Sequence, residues 1–143
     1  MSKIIIMRGL PASGKSTKAK ELMAEYGNCV RVNRDLLRTM LHFDKWNGKN
    51  EEMTIKAEKA ILRELVKHRV VIVDDTNLNA NTLASWVGMA KELGVASQIV
   101  DMDTHWQECV KRDEGLPNSV GKQVINNMAM RNGQYSTDKP IIV

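Results

Sequence analysis

The chain has 143 residues, 43% hydrophobic and 27% charged, with a formal net charge of +4. That length suits a single hydrophobic core, and that composition excludes a disordered or fibrous chain. No apolar run approaches the roughly 20 residues of a bilayer span and no signal-peptide pattern opens the chain, so one cytoplasmic domain over residues 1–143 is expected, with no membrane partner.

Lys3 is followed by the continuous apolar run Ile4 to Met7, the pattern of a strand buried on both faces of a parallel sheet. Directly after it, Gly9-Leu10-Pro11-Ala12-Ser13-Gly14-Lys15-Ser16 satisfies G-x-x-x-x-G-K-[ST]. A helix over Ser16 to Tyr26, stopped at Gly27, follows, so the motif has the strand before and the helix after that it requires. Gly9, Pro11, Ala12, Ser13 and Gly14 form a cradle whose glycines let backbone amides turn toward a β-phosphate, and the helix adds its N-terminal dipole. Lys15 supplies a charge to the β and γ oxygens, Ser16 a hydroxyl to magnesium, and Thr17 completes the nucleotide contacts. The donor expected is ATP or another NTP. The chain is too short for the switch regions of a GTPase or the insertions of a motor, which favours a kinase.

A second strand, Cys29 to Val32, leads into Asn33-Arg34-Asp35 and a helix with Leu36, Leu37, Met40 and Leu41 as its apolar positions. This junction falls at the carboxyl edge of the sheet, where open α/β folds bind ligands. Asp35 and Arg38 are three apart and project from one helix face. A carboxylate there can orient an acceptor hydroxyl and take its proton, and a guanidinium there can grip a phosphate with a two-pronged hydrogen bond. On spacing alone, Asp35 reads equally well as a helix cap and Arg38 as a solvated charge.

Glu51 to His68 has helical spacing, with Met53, Ala57, Ile61, Leu62 and Leu65 expected on the inward face, and it feeds a second fully apolar run, Val70 to Val73. Asp74-Asp75-Thr76-Asn77 ends that run at the same edge, where a carboxylate can reach magnesium directly or through water; Asp75, with Thr76 and Asn77, can instead line an acceptor pocket. Asn79 reads as the N-cap of a helix over about Thr82 to Leu93, Gly94 as its stop, and Ala96 to Met102 as a further strand. A helix from Trp106 to Arg112, a polar stretch from Asp113 to Asn118, a helix from about Gly121 to Arg131 and a Pro-initiated apolar strand over 139–143 complete the order. The succession argues an α/β fold with a parallel sheet covered by helices. Cys29 and Cys109 match no metal-ligand spacing and read as buried free thiols of a reducing compartment.

Gly9 to Thr17, Asn33-Arg34-Asp35 with Arg38, Asp75-Thr76-Asn77-Leu78-Asn79, and Trp106 followed by Val110-Lys111-Arg112 together resemble the kinase domain of phage-type polynucleotide 5′-kinases. The resemblance covers essentially the whole chain, and Asn-Arg-Asp-x-x-Arg followed by Asp-Thr-Asn-Leu-Asn is far more specific than the cradle. It implies a P-loop kinase fold with a four-stranded parallel sheet and helices on both faces. It also implies a catalytic set of Lys15, Asp35 as general base and Arg38 on the phosphate beside the acceptor nucleoside, with Ser16 on magnesium and Arg112 in a lid over ATP. The acceptor implied is the 5′-OH end of DNA or RNA, in nucleic-acid end repair; a small hydroxyl metabolite is the alternative acceptor, and a nucleotide-gated binding module the third reading. Two departures stand out. The family usually places a second lid arginine shortly after the first, whereas Asp113 to Asn118 holds none, leaving Arg131 or Lys122 to compensate. Bifunctional members continue from a strand like 139–143 into an Asp-x-Asp-Gly-Thr phosphatase motif, so the chain is expected to be the kinase domain of a longer protein.

Overall fold

The computed structural model describes residues 2–132; the strand expected over 139–143 lies outside them. Four strands, β1 (Lys3–Arg8), β2 (Cys29–Val32), β3 (Val70–Val73) and β4 (Ala96–Asp101), form an all-parallel sheet in the order β2-β3-β1-β4. The described helices are α1 (Lys15–Tyr26), α2 (Arg34–His42), α3 (Gly48–Leu65), α4 (Ala80–Leu93), α5 (Trp106–Asp113) and α6 (Lys122–Arg131). Successive side chains of a strand point to opposite faces, and the two apolar runs use both. Ile4, Ile6, Val71 and Val73 pack with Leu62 of α3 and Trp86 and Met89 of α4, while Ile5, Met7, Val70 and Ile72 pack with Ala19 and Leu22 of α1. Helices therefore cover both faces, as the resemblance implied. β4, at the sheet's edge, is exposed along most of its length.

Two helices bury different faces from those expected. In α3 the buried residues are Thr54, Glu58 and Leu62, and Met53 and Ile61 are exposed. Leu62 sets the inward stripe, and stepping back four residues at a time leads to a glutamate and a threonine, each with a polar partner: Glu58 Oε1 with Arg34, Thr54 with Asn50 O and His42. In α2 only Leu37 is buried, and Leu36, Met40 and Leu41 face water. Elsewhere the boundaries follow local chemistry. Asn33, Asn47 and Asn79 cap α2, α3 and α4 through their side chains, and Gly94 ends α4 in the left-handed region, as the preferences for asparagine at N-caps and glycine at C-termini predict.

The carboxyl ends of three strands are tied to one another. Gly9 N donates to Thr76 O (3.0 Å), Asn33 Nδ2 to Asp74 O (2.6 Å), and Asn77 Nδ2 to Met7 O (2.7 Å). Asn77 also accepts from Trp86 Nε1 at 3.0 Å, and it holds φ at 47°, a left-handed conformation that asparagine tolerates better than most residues. A separate small core of Leu10, Leu78, Trp106, Cys109, Val110, Ile125 and Ala129 seats α5 and α6 beside this edge. Cys29 and Cys109 are buried free thiols. No helix among the described residues is long and apolar enough to cross a membrane.

Asn77→Ala should leave both Trp86 Nε1 and Met7 O without partners in a dry environment, lowering stability by roughly 1–3 kcal/mol. Urea unfolding measures this, and an unchanged midpoint would show that the tie contributes nothing.

Candidate functional site

The cradle forms where β1 ends. A Cβ added to Gly9 would stand 2.7 Å from Ser13 Oγ and 2.9 Å from Met102 Cβ, so only glycine fits there. Ala12 (φ 62°) and Gly14 (φ 100°) turn the chain through the left-handed region, and Thr104 Oγ1 pins the loop by donating to Ser13 O at 3.0 Å. α1 begins at Lys15 without a side-chain cap or an acidic residue in its first turn. Its leading amides therefore remain available to an anion. Lys15 Nζ folds back to donate to Leu10 O at 2.7 Å. Burial pulls its pKa down, and Asp74 is the largest influence in the other direction.

Ser16 Oγ donates to Asp74 Oδ2 at 3.1 Å, and Arg31 Nε holds the same oxygen at 2.6 Å. Asp74 is buried, and its Oδ1 has no hydrogen-bond partner. A hydroxyl beside a carboxylate with an uncommitted oxygen offers the hard oxygen donors that magnesium takes, the remainder of its shell being phosphate and water. Of the two adjacent aspartates, Asp74 stands on this side and Asp75 on the other.

On that other side, Asn33 caps α2 by accepting from Leu36 N at 2.9 Å, so Asp35 is not used as the cap. Its side chain is 83% exposed and accepts a hydrogen bond from Arg38 Nη1. The rest of the Arg38 guanidinium is gripped by Glu51 of α3, Nε to Oε1 at 2.8 Å and Nη2 to Oε2 at 2.6 Å. This pairing raises the pKa of Arg38 and lowers that of Glu51. Behind it, Asp75 Oδ1 accepts from Arg34 N at 2.7 Å, and Arg34 Nε donates to Glu58 Oε1 at 3.0 Å. Glu58 is fully buried, and both Glu58 Oε2 and Asp75 Oδ2 are buried without a donor. Burial, followed by the neighbouring Asp75 carboxyl, pushes Glu58 up to about 9 against the opposing pull of Arg34. The proton that Glu58 retains offers a donor on this buried side.

Arg112 reaches over the cradle, its Nη1 lying 3.8 Å from the position a Cβ would take on Gly14, and it pairs with Glu108 at 3.2 Å. Asp113 shapes the α5–α6 turn by accepting from Ser119 Oγ, Val120 N and Gly121 N at 2.6, 3.0 and 3.0 Å, and these bonds lower its pKa.

One cleft of about 1460 Å³ gathers Pro11, Ala12, Gly14, Lys15, Ser16, Thr17, Asp35, Arg38, Asp75, Thr76, Arg112 and Arg131 into its walls, together with Asp74. Gly9 and Ser13 stand behind the wall as the fold of the loop, and Lys122 does not line the cleft. Asn77 also lines the cleft, and its amide group, donating to Met7 O and accepting from Trp86 Nε1, braces the edge at the same time. Sequence reasoning missed Glu51 and Glu58. A glutamate on the helix after an Asp-x-x-Arg turn is the only signal for the first, and an acid on the inward stripe of α3 the only signal for the second.

A family model described as an AAA domain matches residues 4–132. A bifunctional polynucleotide phosphatase/kinase of Schizosaccharomyces pombe is 28% identical over 101 residues, 71% of this chain and 21% of that protein. A chain in the structure of the Pnkp1/Rnl/Hen1 RNA repair complex is similar over 94% of this chain and 45% of its own length, with a TM-score of 0.82 and 30% identity. The Mycobacterium tuberculosis APS kinase CysC, in complex with AMPPNP and APS, shares the fold with a TM-score of 0.65 at 22% identity, over 80% of this chain and 69% of that one. The chain thus spans 21% of the first of these relatives and 45% of the second.

In the folded chain Glu58 keeps its proton to about 9, whereas an unfolded chain releases it near 4.5. The native state therefore binds the extra proton between those values, and stability falls as pH rises across that window. Glu58→Gln mimics the protonated form, accepting from Arg34 and donating to Asp75. Urea midpoints at pH 5, 7 and 9 should decline less in Glu58→Gln than in the parent; parallel curves would rule out the retained proton on Glu58.

Proposed function

The chain belongs to the AAA domain family, and from that premise we propose that it is a P-loop kinase domain of the polynucleotide-kinase type, transferring the γ-phosphoryl group of ATP to the 5′-OH end of a DNA or RNA strand. The observation that carries this reading is the Asp35–Arg38 pair standing on the same cleft as Lys15 and Ser16. A proton acceptor and a phosphate clamp thus share one open space with the nucleotide cradle.

Phosphoryl transfer needs positioning and charge stabilisation more than covalent help from the protein. Lys15 exchanges the Leu10 carbonyl for phosphate oxygens, which are stronger acceptors because they are charged. Magnesium, held beside Ser16 and Asp74, supplies charge neutralisation on those oxygens when bound. Asp35 accepts the proton of the attacking hydroxyl and orients it. Arg38, held in place by Glu51, uses its remaining N–H groups on the first internucleotide phosphate. Arg112 closes over the donor, and Arg131, which lines the cleft where Lys122 does not, takes the part of the missing second lid arginine.

Labelled ATP offered with 5′-OH oligonucleotides, nucleosides, sugars and other small hydroxyl compounds tests the reading directly. Label confined to the small compounds would replace it with a metabolite kinase, and nucleotide binding without any transfer would replace it with a binding module. Asp35→Asn should retain nucleotide binding and lose roughly 100- to 10,000-fold in transfer, the usual worth of a general base; loss of folding with catalysis intact would return Asp35 to a structural role.

Arg38→Ala should weaken acceptor use about tenfold or more, because a hydrogen bond to a charged group contributes roughly 1.5–3 kcal/mol. The readout is the activity ratio between a nucleoside 3′-monophosphate and the bare nucleoside. The ratio should collapse in the variant while KM for ATP holds, and an unchanged ratio would remove Arg38 from the acceptor phosphate.

A further inference from the structure

The chain has one phenylalanine and three tryptophans. Trp86 and Trp106 are buried, but Phe43 is 92% and Trp46 69% exposed. Both lie in the connection from α2 to α3, and that connection is tightly organised. Phe43 N donates to Thr39 O, Asp44 N to Arg38 O and Lys45 N to His42 O, at 3.1, 3.3 and 3.0 Å. Thr39 Oγ1 holds Asp44 Oδ1 at 2.6 Å, and Asn50 Nδ2 holds Lys45 O at 3.0 Å. Phe43 and Asp44 both sit in the left-handed region, with φ of 51° and 64°. Such conformations carry strain in residues other than glycine and persist only where the surroundings enforce them. The fold therefore spends order and strain to hold two large aromatic rings in water, forgoing the hydrophobic gain of burying them.

Where the rings stand relative to the cleft suggests their use. Arg38 lines the main cleft and also a small depression shared with His42, Asp44, Lys45, Trp46 and Glu51. At 1.5 Å per residue, α2 carries the surface about 12 Å from Asp35 to Phe43, a distance of a few nucleotides. Lys45, between the two aromatic residues in sequence, and Lys49, three residues beyond Trp46, form no ion pair among the described residues. Aromatic faces interleaved with unpaired cations are the chemistry that holds single strands, because every base offers a π-face and every phosphate a charge. Leu36 and Met40 extend the apolar strip along the outer side of α2.

We propose that Phe43 and Trp46, with Lys45 and Lys49, form a stacking platform for the nucleotides of the acceptor strand downstream of the one whose 5′-OH meets Asp35. This rests on the polynucleotide reading of the cleft. It makes the α2–α3 connection the element that distinguishes a strand from a mononucleotide.

The test compares a nucleoside 3′-monophosphate, which ends before the platform, with 5′-OH oligothymidylates of graded length. In the full chain with ATP and magnesium, KM should fall over the first few added nucleotides. Trp46→Ala and Phe43→Ala should abolish about tenfold or more of that fall, leaving KM for ATP unaltered, and Trp46→Tyr should restore most of it. The same length dependence in parent and variants would overturn the platform. Fluorescence supplies a readout that needs no transfer: because Trp86 and Trp106 are buried, oligothymidylate without ATP should quench an exposed emission that Trp46→Phe lacks. Quenching without phosphorylation of any nucleotide acceptor would keep the platform and sink the kinase reading, whereas phosphorylation with neither quenching nor a length effect would do the reverse. Loss of a sedimenting dimer in Trp46→Ala, with length dependence intact, would assign the rings to contact between copies of the chain and overturn the proposal.

Discussion

Parallel pairing of β1 with β3 places the ends of two strands side by side, and the cleft is built on that adjacency. β1 releases the chain into the cradle; β3 releases it into Asp74, Asp75, Thr76 and Asn77. Parallel strands end at the same edge, so their exit loops can meet, which antiparallel neighbours would prevent. The pairing alone would leave those exits loose. The bonds from Gly9 to Thr76, from Asn77 to Met7 and from Asn33 to Asp74 convert adjacency into a fixed spacing. β2 enters the same arrangement through its register with β3, which delivers Asn33 and the start of α2 to the edge of the cleft that carries Asp35.

Charge inside this edge is arranged so that each buried group has a different compensation. Asp74 is neutralised by Arg31 and braced by Ser16. Glu58 keeps its proton, Arg38 is matched in a two-pronged contact by Glu51, and Asp113 is satisfied by one hydroxyl and two amides. Removing one partner from such a buried set costs far more than the set contributes as a whole. The Asp35–Arg38 half of the cleft is therefore sensitive to substitutions that do not line it. Glu51 is the clearest case, since without it the Arg38 side chain has only Asp35 to direct it.

Much of this was legible in the sequence because it is local. The two apolar runs became the two central strands, and the cradle fell between strand and helix; Asn79 and Gly94 bounded α4 through the cap chemistry that marks them. Lys15, Ser16, Asp35, Arg38, Asp75 and Thr76 are gathered on one cleft because each follows a strand end. What could not be read depends on pairings between helices far apart in the chain. Glu51 and Glu58 meet Arg38 and Arg34 across the α2–α3 packing, 13 and 24 residues away. Reading α3 by hydrophobic periodicity selected Met53 and Ile61, since a buried glutamate and threonine do not register as inward residues until their partners are known. The same blindness hid the exposure of Leu36 and Met40, which a helical wheel assigns to a core. Asp74 and Asp75, adjacent in sequence, separated into two environments only when the strand's alternation was set against its neighbours.

Leu10 joins two parts of the cleft that are otherwise distinct. Its side chain is fully buried in the small core with Trp106, Val110 and Ile125, and its carbonyl oxygen holds Lys15 Nζ at 2.7 Å. The helices carrying Arg112 and Arg131 thus rest on the residue whose carbonyl restrains the cradle's lysine. A substitution that loosens this small core therefore acts on the lysine's tether as well as on the two helices. One leucine ties the seating of two helices to the position of the cradle's lysine.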